Sequence, residues 1–94
     1  MDNTAILDAL KVDLGISVTA YDERLTQLLY AAEAAIKKEG ATTFAPSSSM
    51  NDAQLQIMYA AWLWRRRDTM EAMPRMVRWA LNNRIFGEKA GAAV

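Results

Sequence analysis

Hydrophobic residues recur along this 94-residue chain at intervals of three and four, the spacing that places side chains on one face of an α-helix. The pattern is clearest between residues 20 and 39, where six residues match it: Tyr21, Leu25, Leu28, Leu29, Ala32 and Ile36. A similar stripe precedes it, formed by Ile6, Leu7, Leu10 and Leu14. Together with two later helical segments, these stripes predict an all-α fold with four helices.

The third helical segment departs from this spacing, because residues 57–64 are eight consecutive apolar residues followed by Arg65, Arg66 and Arg67. A helix that is apolar on every side must be enclosed, either by the other helices or by a second subunit. We therefore predict that this helix lies buried at the centre of the fold.

Two stripes can be separated on this central helix by their spacing. The first continues the stripe of Leu55 and is assigned to the core of the subunit: Met58, Tyr59 and Trp62. The second is assigned to a contact with a neighbouring subunit: Ile57, Ala61 and Trp64.

Glycine and short polar residues set the predicted ends of the first helices. The first helix is expected at residues 4–14 and the second at residues 20–39, and they end at Gly15 and Gly40. Polar side chains in front of the helices predict their N-caps. These are Asn3 or Thr4 for the first helix, Thr19 for the second and Asn51 for the third.

A short loop rich in serine, residues 41–49, separates the second and third helices. We expect Met50 to pack against Leu55 at the start of the third helix, which then runs to Thr69 or Met70.

The fourth helix is expected at residues 74–85, with Pro74 in its first turn and Gly87 as its end. Four apolar residues of this helix should point inward: Val77, Ala80, Leu81 and Ile85. Residues 1–87 are therefore predicted to form a single helical domain, and residues 88–94 a flexible C-terminal tail.

The composition is that of a folded domain with little catalytic equipment, at 52% apolar and 23% charged residues. The absence of cysteine and histidine removes disulfides, thiolate nucleophiles and the commonest metal ligand and general base. We predict a protein that is not an enzyme, with no catalytic residue, cofactor or metal. The longest apolar run is far shorter than a membrane span, so we expect synthesis in the cytosol.

Charge is distributed unevenly although it sums to zero. Residues 1–60 contain four basic and eight acidic residues, and residues 61–87 contain six arginines and two acids. This asymmetry has three interpretations. The basic half binds an anionic partner, the chain associates with itself head to tail, or two solvated faces differ in charge by chance.

Arginine and tryptophan, the residue types enriched at interface hot spots, are interleaved in the basic half. The arginines are Arg65, Arg66, Arg67, Arg75, Arg78 and Arg84, and the tryptophans are Trp62, Trp64 and Trp79. Consecutive residues on a helix point about 100 degrees apart, so three adjacent arginines do not face one DNA groove together. This geometry favours salt bridges to adjacent subunits, or one arginine that lines a wall while two anchor the ring around it, and a simple solvated helix end is the remaining interpretation.

Three pieces of the chain resemble the small helical head-tail connector proteins of tailed bacteriophages, also called head-completion or DNA-packaging adaptor proteins. The first is Leu10-Lys11-Val12-Asp13 with the acid-started helix that follows. The second is the apolar helix from Ala53 through Trp62 to Arg67. The third is a proline-started segment that contains Met73, Pro74, Val77, Leu81 and Arg84.

The resemblance implies a non-enzymatic virion subunit, present in the host cytoplasm before assembly, that forms a ring under the portal and extends the DNA channel. Its implied partners are other copies of itself, the portal protein, the next connector or tail protein, and DNA bound without sequence specificity. The candidate subunit or portal interface is Ile57, Ala61, Trp64, Arg65, Arg66, Arg67, Met70, Met73, Arg75, Arg78 and Trp79. The alternative interpretation is a small helical DNA-binding protein, either a regulator or a packaging recognition subunit.

Overall fold

The computed structural model describes residues 1–92 and contains four α-helices connected in sequence. They are α1 (Asn3–Leu14), α2 (Asp22–Glu39), α3 (Met50–Thr69) and α4 (Arg75–Ala92). No strand occurs in residues 1–92, so the predicted all-α, four-helix fold is confirmed. Within the same residues, no helix combines the length and apolar character needed to cross a membrane.

Helix α3 is the centre of the fold, because it packs against each of the other three helices. Seven of its apolar residues are buried: Ala53, Leu55, Ile57, Tyr59, Ala60, Ala61 and Trp62. Helix α2 buries the predicted stripe except for Tyr21, which is 47% exposed. The prediction of a central buried helix is therefore confirmed.

The second stripe of α3 is not a free surface, as Ile57 and Ala61 are only 1% and 3% exposed within the single chain. Helices α1, α2 and α4 all pack against α3 and cover both of its stripes. The side chains of these two residues are therefore inaccessible to another subunit. Their assignment to a subunit contact is wrong. Trp64, the third member, is half-buried, and its ring meets that of Tyr21 edge-on at 5.4 Å.

The N-caps lie earlier in the chain than predicted, or are missing. Asp2 caps α1 by accepting a hydrogen bond from the backbone N–H of Ala5, at 2.8 Å. Ser49 caps α3 in place of Asn51, since its hydroxyl accepts from the backbone N–H of Asp52. Adjacent polar residues are chemically equivalent as caps, so the sequence pattern does not single out the one with extended backbone.

Two further details of these helix starts differ from the prediction. Helix α2 begins at Asp22 without a side-chain cap, after a turn in which the Asp22 N–H donates to the Thr19 carbonyl oxygen. Met50 is the first residue of α3 and is 60% exposed, so it does not pack as predicted against Leu55.

Two glycines end α1 and α2 as predicted, because both adopt positive φ. Gly15 has φ of 70° and Gly40 has φ of 134°. Gly40 also allows close approach of α4, since a Cβ at this position would lie 3.2 Å from Cγ2 of Ile85. The third glycine expected to end a helix, Gly87, lies inside α4.

Helix α4 therefore continues to Ala92, and the predicted flexible tail is wrong for residues 88–92. The physical reason is Glu88, whose carboxylate accepts hydrogen bonds from the backbone N–H and the hydroxyl of both Thr42 and Thr43, at 2.5–3.0 Å. These bonds hold the end of α4 against the loop after α2. The rest of the predicted tail, Ala93 and Val94, lies outside the described residues.

Candidate functional site

The arginines at the end of α3 cover the tryptophans of the same helix. The guanidinium of Arg66 lies 4.9 Å from the ring centre of Trp62, and that of Arg67 lies 3.7 Å from Trp64. Residues three and four positions apart are neighbours on a helix surface, which makes these cation–π contacts local. All three consecutive arginines are exposed, and two of them, Arg66 and Arg67, contact tryptophans of their own helix.

The turn from α3 to α4 projects methionine into solvent. Helix α3 ends at Thr69, and its C-cap is Met70, a non-glycine residue that has φ of 53° and is 91% exposed. The indole N–H of Trp62 donates to the carbonyl oxygen of Glu71 at 3.0 Å and ties the turn to the core. Met73 differs from Met70, because it is partly buried and packs against the core.

One side of α4 is an exposed surface that we call the α4 outer face: Arg75, Met76, Trp79, Asn83 and Phe86. At 100 degrees per residue these side chains lie within about 100 degrees of one another. The three large apolar members are 65%, 63% and 74% exposed, and Val77 and Leu81 are buried on the opposite side. The face presents an aromatic and methionine surface beside a basic residue.

Phe86 was missed by the sequence reasoning, although a signal for it exists. It follows Trp79 by seven residues, close to two helical turns, and therefore repeats the same face. The predicted end of α4 at residue 85 placed Phe86 outside the helix and hid this relation.

A groove of about 600 Å³ lies between α3 and α4 beside the α4 outer face. Its lining includes Gln54, Leu55, Met58, Trp79, Ala80 and Asn83. Met58, assigned from the sequence to the core, is only partly buried because it borders this groove.

Two arginines of α4 hold the helix on the bundle. Arg78, a predicted interface residue, pairs with Glu39 of α2 at 2.9 Å. Arg84 pairs with the buried Asp52 of α3 at 2.7 Å, and this hydrogen bond is the main cause that raises the pKa of Arg84. These contacts attach α4 to the chain's own α2 and α3.

Asp52 also organises the loop in front of α3, because its carboxylate accepts a hydrogen bond from the backbone N–H of Ala45 at 2.9 Å. No pattern in the sequence singles out Asp52. An acidic side chain in the first turn of a helix is ordinary, and its partner lies 32 residues away along the chain.

The carboxylates near this end of α4 are engaged in hydrogen bonds. Thr43 and Thr42 lower the pKa of Glu88 to about 2, chiefly through the hydroxyl and backbone bonds of Thr43. In residues 1–92, no cluster of three or more histidine, cysteine, aspartate or glutamate side chains is arranged to hold a metal ion.

The structure thus divides the predicted interface residues into three groups. Ile57 and Ala61 are buried, and Arg78 pairs with Glu39. The remaining residues lie along the end of α3, the following turn and the α4 outer face: Trp64, Arg65, Arg66, Arg67, Met70, Met73, Arg75 and Trp79.

Comparisons with known proteins found no match to the chain among family models, curated proteins or solved structures. The resemblance to head-tail connectors rests on the residue pattern.

Proposed function

We propose that this protein is a non-catalytic structural subunit that assembles into a closed ring and serves as a head-tail connector of a tailed bacteriophage. The observation that carries the proposal is the α4 outer face, on which Met76, Trp79 and Phe86 are exposed together. Large apolar side chains exposed on one face of a helix are a common feature of protein–protein interaction sites. Tryptophan, methionine and arginine are the residue types enriched in protein interfaces.

The shape of the subunit supports association. Its principal extents are 46 × 29 × 17 Å, so the molecule is a thin plate with large faces relative to its volume. A domain of about this length buries only some 60–65% of its unfolded surface, and contacts with further copies add burial.

Unpaired charges of opposite sign support contacts between different faces. Asp8 and Asp13 on α1 are exposed and form no ion pair within residues 1–92, and the same holds for Arg65 and Arg75 at the other end of the sequence. A heterologous contact, in which one face meets a different face of the next copy, closes into a ring when the rotation between copies permits.

The connector role itself rests on the three pieces of residue pattern that resemble the family. In this role the ring sits under the portal in the virion, and its outer surfaces dock the portal protein and the next connector or tail protein. DNA passes through the channel and contacts the ring through its phosphates, without sequence readout.

A DNA-binding regulator is the second candidate, favoured by the exposed Arg65 and Arg75 near aromatic side chains. It is less well supported, because Arg66 and Arg67 already lie against Trp62 and Trp64. Titration of several unrelated duplexes between 50 and 200 mM salt separates the two functions. A regulator prefers one sequence, whereas a connector binds all duplexes weakly and loses affinity steeply with salt.

The ring is tested by native mass spectrometry and negative-stain imaging of the protein alone and after mixing with the portal ring of the same phage. We expect one discrete ring mass. The double variant R65E/R75E should abolish the ring at physiological salt, because the reversed charges repel the exposed acids of α1, Asp8 and Asp13, on the next copy.

The matched control reverses two exposed lysines elsewhere, K38E/K89E, and should leave the ring intact. Assembly of R65E/R75E to the same extent as the unmodified protein would contradict the proposed contact. If the protein forms no ring, either alone or on the portal, the proposed connector function is contradicted.

A further inference from the structure

The two most exposed large hydrophobic residues of the described chain lie at helix ends, outside the α4 outer face. Met70 is 91% exposed and Val12 is 79% exposed. Met70 lies in the turn between α3 and α4, and Val12 lies in the last turn of α1. Each residue therefore presents an apolar side chain to water at a place where the fold does not enclose it.

The backbone of Met70 adopts a conformation that disfavours a side chain. Its φ of 53° is the only positive φ of a non-glycine residue in residues 1–92. Glycine is the usual residue at such a helix end, as at Gly15, because a Cβ is strained in the left-handed region. An exposed methionine gains little from packing in return. Strained residues of this kind cluster at functional sites.

Arginines surround Met70 in the sequence. Residues 65–75 contain four arginines and two acids, a net charge of +2. Arg65 and Arg75 are exposed and form no ion pair within residues 1–92. Arg75 also belongs to the α4 outer face, so the basic surface around Met70 continues onto that face.

Acids flank Val12 in the same way. Asp8 lies one helical turn before Val12 and Asp13 follows it directly, and both aspartates are exposed and form no ion pair in the part of the chain that the structure describes. The base that lies between them, Lys11, pairs with Asp22 at 2.8 Å. Val12 is therefore an exposed apolar residue on an acidic surface, which is the electrostatic complement of Met70.

Both features lie at the same end of the helical bundle. The Lys11–Asp22 pair joins the end of α1 to the start of α2. The ring of Tyr21, just before α2, meets the ring of Trp64 near the end of α3. The end of α1 is therefore close to the end of α3, where the turn to α4 begins.

The two features lie on different sides of the subunit, because α1 and α4 pack on different sides of α3. Gln56 lines the cavity beside α1, whereas Met58 lines the groove beside α4, about 160 degrees around the helix. A closed ring relates neighbouring copies by rotation about one axis, so surfaces that touch lie at the same height on different sides of the subunit. The positions of the acidic and basic surfaces meet this condition when the bundle stands parallel to the ring axis.

We propose that Met70 of one copy packs against Val12 of the next copy in the ring. The arginines that flank Met70 pair with the aspartates that flank Val12 around this apolar contact. Single exposed ion pairs contribute little, so the apolar contact forms the centre that the charges surround. This inference rests on the self-assembly in the proposed function and specifies its contact.

Cross-linking tests the contact directly, because the chain has no cysteine of its own. Copies that carry V12C are mixed with copies that carry M70C under mild oxidation. We expect the mixed disulfide dimer to form about tenfold faster, or more, than in the matched control, which pairs M70C with K38C. Equal rates in the two mixtures would overturn the inference. Faster formation of V12C–V12C or M70C–M70C dimers would also overturn it, since these dimers require copies that face each other.

Charge reversal tests the pairing, with association followed by sedimentation equilibrium and folding by circular dichroism. D8R/D13R and R65E/R75E should each weaken association about tenfold or more, because like charges then meet. An equimolar mixture of the two variants should recover association. In the mixture the two reversed surfaces attract each other, and the two unmodified surfaces do the same. Folded variants that do not recover when mixed would contradict the pairing.

Substitution of Met70 separates a role in binding from a role in folding. M70G removes both the side chain and the strain, so it should raise the unfolding temperature by about 2–5 °C. The same variant should weaken association about tenfold. M70A keeps the strained conformation and should weaken association equally without raising the unfolding temperature. A lower unfolding temperature for M70G, or unchanged association for both variants, would overturn the role of Met70.

The outcomes separate this inference from the proposed function. A ring that forms normally with M70G and gives no cross-link between V12C and M70C overturns the contact and leaves the connector proposal standing. A chain that forms no ring, either alone or on the portal, contradicts both.

Discussion

Helices α1 to α3 and helix α4 are held in the fold by different kinds of contact. The first three bury a shared apolar core, with residues such as Leu10, Leu25 and Ile57 almost fully enclosed. Helix α4 is as long as α2, but among its residues 75–90 only Val77 and Leu81 are buried, and several of its remaining attachments are ion pairs and hydrogen bonds. The comparison indicates that α1 to α3 provide most of the buried core, while α4 leaves its large apolar side chains exposed.

The largest effect should come from truncating a residue of the α1–α3 core. I57A removes a side chain that is 1% exposed and leaves a cavity, so it should lower the free energy of unfolding by about 2–5 kcal/mol. Urea denaturation at low protein concentration measures this value. W79A, on the α4 outer face, should change it by less than about 0.5 kcal/mol. A loss for W79A as large as that for I57A would contradict the division between the two regions.

The sequence pattern predicted the features of the fold that depend on the local spacing of apolar residues. The four helices, the α2 stripe and the inward side of α4 follow from the three- and four-residue spacing. The pattern did not decide whether Ile57 and Ala61 are enclosed by their own chain or by a neighbour, because a helix that is apolar all round satisfies both arrangements.

The features that the sequence did not predict depend on residues far apart along the chain. The end of α4 is fixed by Glu88 binding Thr42 and Thr43, about 46 residues earlier, so Gly87 does not end the helix. The pairing of Arg84 with Asp52 spans 32 residues and likewise leaves no local signal. Arg75 and Trp79, which the sequence pattern assigned to an interface, are exposed in the structure, and their contact with a partner stays a prediction.

The next largest effect on stability should come from breaking the contacts that attach α4 to α3. D52A removes the carboxylate that Arg84 and the Ala45 N–H share, and it should lower the free energy of unfolding by about 1.5–3 kcal/mol. Hydrogen exchange should show the amides of α4 losing protection before those of α2. D8A, which removes an exposed acid, is the matched control and should have almost no effect. Uniform loss of protection in all four helices would show that α4 is not a separate region.

A local effect of pH is expected at the end of α4. The folded pKa of Glu88, about 2, lies below the unfolded value of 4.5, so its contribution to stability is present above pH 4.5 and is lost as the pH falls toward 2. The backbone amide signals of Thr42 and Thr43 should shift together over this range in NMR spectra. E88Q should show displaced signals at neutral pH and no such titration. A midpoint near 4.5 in the unmodified protein would contradict the carboxylate clamp.

The smallest effect should come from the ion pair that joins α4 to α2. The side chains of Arg78 and Glu39 are 45% and 38% exposed, so water and salt screen their attraction. A double-mutant cycle with R78A and E39A should give a coupling of about 0.2–1 kcal/mol that decreases as salt is raised. A coupling that stays above about 2 kcal/mol in high salt would mean that this pair anchors α4 as firmly as Asp52 does. The helix would then belong to the rigid core, and its outer face would be less suited to adjust to a partner.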